Sequence, residues 1–376
     1  MSYRASVKTG RVASVVAGIL FLSLPGCTQA TRSTTATPGM AAPSFAAAGG
    51  ILSNIYNTAR SVFENETVSL ALDRIDQREL PLDRTYRRRG TGSGVTVYVF
   101  DGGIMESHPE LAGRVRKGFD AFDDDARICN AHGTAVAGAI AGKSLGVAPE
   151  AKIVDVKMVE CGKLRGTIKA IVDGANWVIE DHRRHGGPSV ANWSFIADTA
   201  SRIPALDSAV AALRAEGIAV IVSAGNVEVN ACRVSPGNAD GAIVVGASTI
   251  VRDRETNKVT DRRAYNTAYG QCIDFYAPGD SVLLPSFDAA RTPSVQLWNG
   301  TSMSTGYVSG AVALFLEANP KASPDDALTY LRGMATMNVV QNTYAPISWL
   351  LYVGPARSTG EDLQSVEEIR ARIARR

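Results

Sequence analysis

The sequence has no apolar run of the roughly 20 residues needed to cross a bilayer; its stretch from Val12 to Leu24 is about 13. It has no excess of charge. Lys and Arg number 39 against 37 Asp and Glu, a net of +2, so nothing electrostatic calls for nucleic acid or an acidic partner. Histidine is scarce at four residues and forms no HExxH motif, which leaves metalloprotease chemistry without its ligands. The five cysteines include no CxxC pair, so zinc has no binding pattern. The 35 glycines follow no three-residue period and no unit of 20–50 residues recurs, which excludes collagen and solenoid architectures.

What the chain does have is 45% apolar and 20% charged residues over 376 positions, enough to bury one large core or two ordinary ones. Arg4, Lys8 and Arg11 precede the apolar run, and Pro25, Gly26 and Cys27 follow it. This charged, apolar, small order is that of a secretory signal over residues 1–27. Leu24-Pro25-Gly26-Cys27 also resembles the lipobox of bacterial lipoproteins, which implies lipidation of Cys27 and a membrane anchor; cleavage after Ala30 is the competing outcome. Residues 28–64 open with a Thr-, Ala-, Ser-, Pro- and Gly-rich stretch that cannot bury a core and reads as a linker or short pro-region. A folded body is expected over 65–354. In the tail, 355–376, Leu363, Val366, Ile369 and Ile373 mark one face of a short helix.

Beyond Cys27 four cysteines remain: Cys129, Cys161, Cys232 and Cys272. An even number in an exported chain suggests two disulfides, with three connectivities open. Sequence-local pairing would join Cys129 to Cys161 and Cys232 to Cys272, each loop contributing roughly 3–4 kcal/mol in the chain-entropy model.

Continuous apolar runs at Gly94–Phe100, Ala151–Val159, Ser189–Trp193, Ile218–Ser223 and Ala242–Gly246 suit strands buried on both faces. Helical patterns lie between them at Thr134–Ala141, Thr167–His182 and Leu206–Glu216, and another runs from Ser302 to Glu317. The alternation predicts an α/β fold, a mostly parallel central sheet with helices on both faces. Active sites of such sheets lie at the carboxyl ends of strands. Asp101 falls there, ending a strand before Gly102-Gly103. His132 precedes a small-residue helix, and Ser302 opens a long apolar one. Each alone reads as a turn residue, a structural histidine or an N-cap. Together they supply what a hydroxyl nucleophile needs: a base to take its proton, a carboxylate to fix that base, and a helix N-terminus where an oxyanion would form.

The order Asp, His, Ser is that of subtilisin. VYVFDGGI, NAHGTAVAG and NGTSMSTGYVSG resemble the aspartate, histidine and serine segments of the subtilisin-like serine proteases, closest to the proteinase K branch and its aqualysin-type bacterial members. LDRIDQRELPL, at Leu72–Leu82, resembles the start of the mature enzyme in those relatives. The resemblance runs from about residue 66 to about 354. It implies a subtilisin-like fold and a monomeric, exported endopeptidase acting on proteins or peptides, with catalytic Asp101, His132 and Ser302 and no catalytic cofactor. It implies an oxyanion-binding Asn226, from SAGNVEVNAC, which sits at the end of an apolar strand. It supports the sequence-local cysteine pairing. It also implies a substrate cleft formed by Leu164, Arg165 and Gly166 on one side and Ser194, Phe195 and Ile196 on the other. Structural calcium, used by many members, could bind Asp123-Asp124-Asp125.

The departures are specific. Gly102 replaces a hydroxyl residue, Ala131 a glycine, and Ala135 a second histidine; Ser304-Thr305-Gly306 stands for Ala-Thr-Pro. Ser194-Phe195-Ile196-Ala197 stands for Ser-Leu-Gly-Gly, which should narrow the specificity pocket, and cationic Lys163 and Arg165 would favour acidic side chains. The stretch between Cys27 and the body is short for the family's folding propeptide. These changes keep a different outcome open, an envelope protein of the same fold that binds peptides with weak or no turnover. A lipase-like hydrolase is disfavoured, because the Ser302 segment reads Gly300-Thr301-Ser302-Met303-Ser304 where that family has a G-x-S-x-G elbow, and because Ser comes last in the order.

Overall fold

The computed structural model describes residues 69–122, 128–197, 201–253 and 255–355, together with the backbone of 19–20. Cys27, the 28–64 linker, Asp123–Asp125 and the tail's apolar face lie outside the described residues. In chain order the elements are β1 (Ile19–Leu20), α1 (Leu70–Asp76), β2 (Thr96–Asp101), β3 (Val115–Asp120), α2 (His132–Ala141), β4 (Lys152–Lys157), β5 (Val159–Glu160), β6 (Arg165–Gly166), α3 (Ile168–His185), β7 (Ser189–Trp193) and β8 (Ile196–Ala197). They continue with α4 (Pro204–Ala215), β9 (Ala219–Ser223), β10 (Ile243–Arg252), β11 (Val259–Arg263), β12 (Phe275–Pro278), β13 (Val282–Phe287), β14 (Pro293–Trp298), α5 (Thr301–Ala318), α6 (Pro324–Met334), β15 (Thr336–Met337) and β16 (Trp349–Leu350).

Ten strands form one sheet in the order β15, β16, β12, β10, β9, β7, β2, β4, β3, with β11 beside β10. All neighbours pair in parallel except β15 with β16 and β10 with β11. The sheet separates two apolar layers. Alternate residues of β2 serve each: Val97 and Val99 pack with α2 and α5, and Tyr98 and Phe100 with α3 and α4. A strand covered on both faces gains from every side chain, about 1.5–3 kcal/mol per fully buried Val or Phe, which is why these runs show no polar alternation.

Helix α5 is buried from Thr301 through Leu316. A helix with no polar face can only sit inside the molecule. It packs along β7, β9, β10 and β12, and its N-terminus emerges at the carboxyl ends of β7, β9 and β12. Glycines let it approach its neighbours: a Cβ on Gly306 would lie 2.9 Å from Ala139 Cβ of α2, and one on Gly310 2.7 Å from Val147 Cβ. The surface helix α3 is capped by Thr167 Oγ1, which accepts the Ala170 N–H at 3.0 Å, and its last turn carries Arg183 and Arg184, cations that suit its C-terminal dipole, between His182 and His185. His182 bonds Ser189 Oγ and His185 the Asp181 carbonyl, both structural contacts.

Candidate active site

Asp101 ends β2 with 1% exposure. Its Oδ1 accepts the Gly102 N–H at 2.7 Å, and its Oδ2 lies 2.7 Å from His132 Nδ1. The turn carrying Asp101 is pinned by neighbours in space. The Cys129 N–H donates to the Gly102 carbonyl at 2.7 Å, and the Met105 N–H to Thr134 Oγ1 at 2.9 Å. Gly133 allows α2 to start against this turn, since a Cβ there would fall 2.6 Å from the Gly103 carbonyl oxygen. His132 opens α2, its own N–H held by Asn130 Oδ1 at 2.9 Å, and its ring stands edge-on to Trp298, centroids 6.3 Å apart. A buried carboxylate at this distance holds the proton on Nδ1 and leaves Nε2 as the basic nitrogen.

Ser302 is the second residue of α5 and 6% exposed. The first backbone N–H groups of a helix have no intrahelical partner and point at whatever lies before its end. The Ser302 hydroxyl donates to the Ser194 carbonyl at 3.1 Å, and the Ser194 hydroxyl donates in turn to the Ser302 carbonyl at 3.1 Å. Behind them Asn192 Nδ2 donates to Ser194 Oγ, and Ser309 Oγ to Asn192 Oδ1, both at 2.9 Å. This buried network fastens β7 to α5 and fixes the height of the serine.

Asn226 follows β9 through Gly225, whose φ of +104° only glycine adopts readily. Its Oδ1 accepts both the Thr301 N–H at 2.8 Å and the Thr301 hydroxyl at 2.9 Å. With the carbonyl end occupied, the amide nitrogen is turned toward Gly300, where a Cβ would sit 2.9 Å from Nδ2. Gly300 is therefore required twice, by this approach and by its φ of +134°.

The predicted disulfides Cys129–Cys161 and Cys232–Cys272 are both formed. The first lies against Gly102, where a Cβ would meet Cys129 Cβ at 3.3 Å, so glycine after Asp101 makes room for the bridge. Ala135 is packed in the core. Ser304 turns its hydroxyl to the Ala277 carbonyl at 2.9 Å, fastening α5 to the end of β12.

The expected cleft residues divide. Ile196 Cδ1 lies 3.0 Å from a Cβ built on Gly225, so its side chain fills space beside the Asn226 turn. The Phe195 side chain goes the other way, stacked on Trp193 at 5.5 Å in the core, and Ser194 is occupied with α5. Across the gap Leu164 is 43% exposed, Arg165 is exposed and Gly166 is buried. Lys163 is paired with Glu160 at 2.9 Å, which weakens the expected selection of acidic side chains. The backbone of β1 pairs antiparallel with β8 and also contacts β6.

Several buried carboxylates escaped the sequence reading, two of them on α1. Asp73 and Asp76, on α1, are 0% and 3% exposed. Each gives one oxygen to a backbone N–H, of Arg84 and Arg87, and each leaves Oδ1 without a partner. Burial raises both above the usual carboxylate range, Asp76 to about 6.

Residues 92–349 match the peptidase S8 model, described as the subtilase family. The chain is 40% identical over 285 residues to an extracellular serine proteinase of Thermus sp. strain Rt41A, covering 75% of this chain and 65% of that one. It is 35% identical over 301 residues to alkaline serine exoprotease A of Vibrio alginolyticus, covering 79% and 53%. It thus spans about half to two thirds of the length of these curated relatives. The crystal structure of a cold adapted subtilisin-like serine proteinase matches with a TM-score of 0.68 at 36% identity, over 77% of this chain and 100% of that one.

Proposed function

The chain belongs to the subtilase family, and from that premise we propose that it is an exported serine endopeptidase working through an acyl-enzyme. The observation that carries this reading is the buried 2.7 Å contact of Asp101 with His132, beside a helix N-terminus that presents Ser302. Ser302 rotates from the Ser194 carbonyl to His132, which takes its proton as Oγ attacks the peptide carbonyl. The negative charge that forms on the carbonyl oxygen is held by Asn226 Nδ2 and the Ser302 backbone N–H, the Thr301 N–H being spent on Asn226 Oδ1. His132 then protonates the leaving amine, and water enters by the same route in reverse to release the acyl group. Asp101 stays ionised and stabilises the imidazolium.

The substrate runs as an extended strand between β6 and β8, held by backbone hydrogen bonds. Ile196 beside Gly225 favours small side chains at the residue donating the scissile carbonyl. A fluorophosphonate probe tests the central reading: one label per chain, absent from Ser302→Ala, supports the enzyme. Folded protein that takes no label supports the second reading, a peptide-binding module. That reading draws on the Ser302 hydroxyl being engaged with Ser194 and on the space filled by Ile196.

Two finer assignments belong with this reading. The unpartnered oxygens of Asp73 and Asp76 suit a hard divalent cation such as calcium. Among the described residues no three acidic, His or Cys side chains converge as a metal cluster, so backbone, amide or water oxygens would complete the shell. The role is structural, for α1 carries no reacting group. Export rests on the 1–27 pattern and accords with the Thermus relative, which is named as extracellular; no described helix is long and apolar enough to cross a membrane. An intact mass of the exported chain distinguishes a lipidated Cys27 from cleavage after Ala30.

A further inference from the structure

Asp155 interrupts the apolar run of β4, one strand over from Asp101. It pairs in register with Val99 of β2 and Lys117 of β3. Two residues on from Ile153, it faces the same layer as that core residue. Its Oδ2 accepts the Ile104 N–H at 3.1 Å, three residues after Asp101, and its Oδ1 is shielded from solvent with no partner. The charged groups around it are mostly of its own sign: Asp101 on β2, Glu106 in the following loop and Asp120 on β3. The nearest cation along the strand, Lys157, is paired with Asp120 at 2.9 Å, and Lys117 across the register is exposed. His132 lies beyond, bonded to Asp101.

We propose that Asp155 is a positioning residue for Asp101: as an uncharged acid it grips the Ile104 N–H and closes the Asp101 turn without placing a second negative charge behind the Asp101–His132 pair. Burial, reinforced by Asp101, Asp120 and Glu106, agrees with this by pushing its pKa up to about 8. The proposal rests on the reading of Asp101 given above.

The test separates the acceptor from the charge. Asp155→Asn keeps an oxygen for Ile104 and is neutral at every pH. Its kcat, KM and the acid limb of kcat/KM that reports His132 should superpose on wild type at pH 6–7. Asp155→Ala removes the acceptor and should lower kcat by roughly 10- to 100-fold with KM unchanged, the size of effect a misplaced catalytic group produces. An acid limb displaced to lower pH in Asp155→Asn would show a charged Asp155 at neutral pH and overturn the proposal, as would full kcat in Asp155→Ala. A stability readout is independent of turnover. With a folded pKa raised from 3.8 to about 8, the side chain's contribution to stability is full below about pH 4 and is lost as pH rises toward 8. The Tm of Asp155→Asn should therefore gain on wild type across that window and level off above it. A constant Tm difference from pH 4 to 8 would contradict the uncharged acid even if the wild type proved unable to take a fluorophosphonate label.

Discussion

The Asp101–His132 corner and the Ser302–Asn226 corner both sit where strand ends meet a helix start, yet they are held in opposite ways. In the first, the functional groups bond each other directly, and backbone contacts to Gly102, Ile104 and Met105 hold the turn beneath them. In the second, the functional groups are held by neighbours: Ser302 by Ser194, and the Asn226 carbonyl by Thr301. The acid–base half is set at rest. The proposed nucleophile is placed by its helix, and its hydroxyl is engaged with the Ser194 carbonyl. In the proposed mechanism the contrast locates where an altered surrounding would slow turnover, at the serine rather than at the histidine.

The largest effect should erase the contrast. Ser302→Ala and His132→Ala each lower kcat on the order of 10⁶-fold, and the double variant falls no further, because the two groups act as a unit. Losses that multiply, read from turnover of a chromogenic peptide, would mean that the two corners work separately. Asn226→Leu probes the second corner alone. It should cost 10²–10³-fold in kcat with little change in KM, the usual loss for one oxyanion donor. Thr301→Val, which keeps the backbone donor and removes the hydroxyl, should cost less than Asn226→Leu; an equal loss would mean that the hydroxyl, rather than the helix end, holds the amide in place.

Smaller effects sharpen the picture of the cleft and of α1. Ile196→Gly should raise kcat/KM for Phe over Ala at the cleaved residue by roughly 10-fold or more, since a few methylenes of pocket space carry that discrimination; an unchanged ratio would place Ile196 outside the pocket. For α1, calcium should raise the Tm more at pH 8 than at pH 5. The folded pKa of Asp76 is raised from 3.8 to about 6, so its contribution to stability is lost as pH rises through 6, and a bound cation offsets the charge that remains. A Tm indifferent to calcium at both pH values would remove the metal from α1.

Much of this architecture was legible because burial on two faces leaves a plain mark. Ser189–Trp193 is a strand at the residues expected, and α5 extends the predicted Ser302–Glu317 by one residue at each end. What escaped was polar. β10 runs on to Arg252 instead of stopping at Gly246, because its far half leaves the core as a ribbon with β11. α1 escaped because three of its buried residues are charged. Arg74 reaches 187 positions along the chain to a bidentate pair with Asp261, at 2.7 and 2.8 Å, a partner no local pattern announces. In the site, placement at a strand end and at helix starts raised Asp101, His132 and Ser302 as candidates, and only their combination pointed to a nucleophile. Asn226 needed the family resemblance, since an Asn after a strand is ordinarily a turn residue. Phe195 was placed in the cleft with its neighbours, although side chains alternate along extended backbone and its own turns into the core.

The most direct test of the central claim is whether His132 and Ser302 act on one molecule. A small peptide chloromethyl ketone adds its carbonyl to the serine hydroxyl and thereby brings its chloromethyl carbon to the imidazole, which displaces chloride. Peptide mapping of the treated wild type should find one inhibitor-derived group per chain, on His132, and none on His132 in Ser302→Ala. Folded wild type left unmodified, or the same modification of His132 in both proteins, would contradict a serine and a histidine working together at the end of α5.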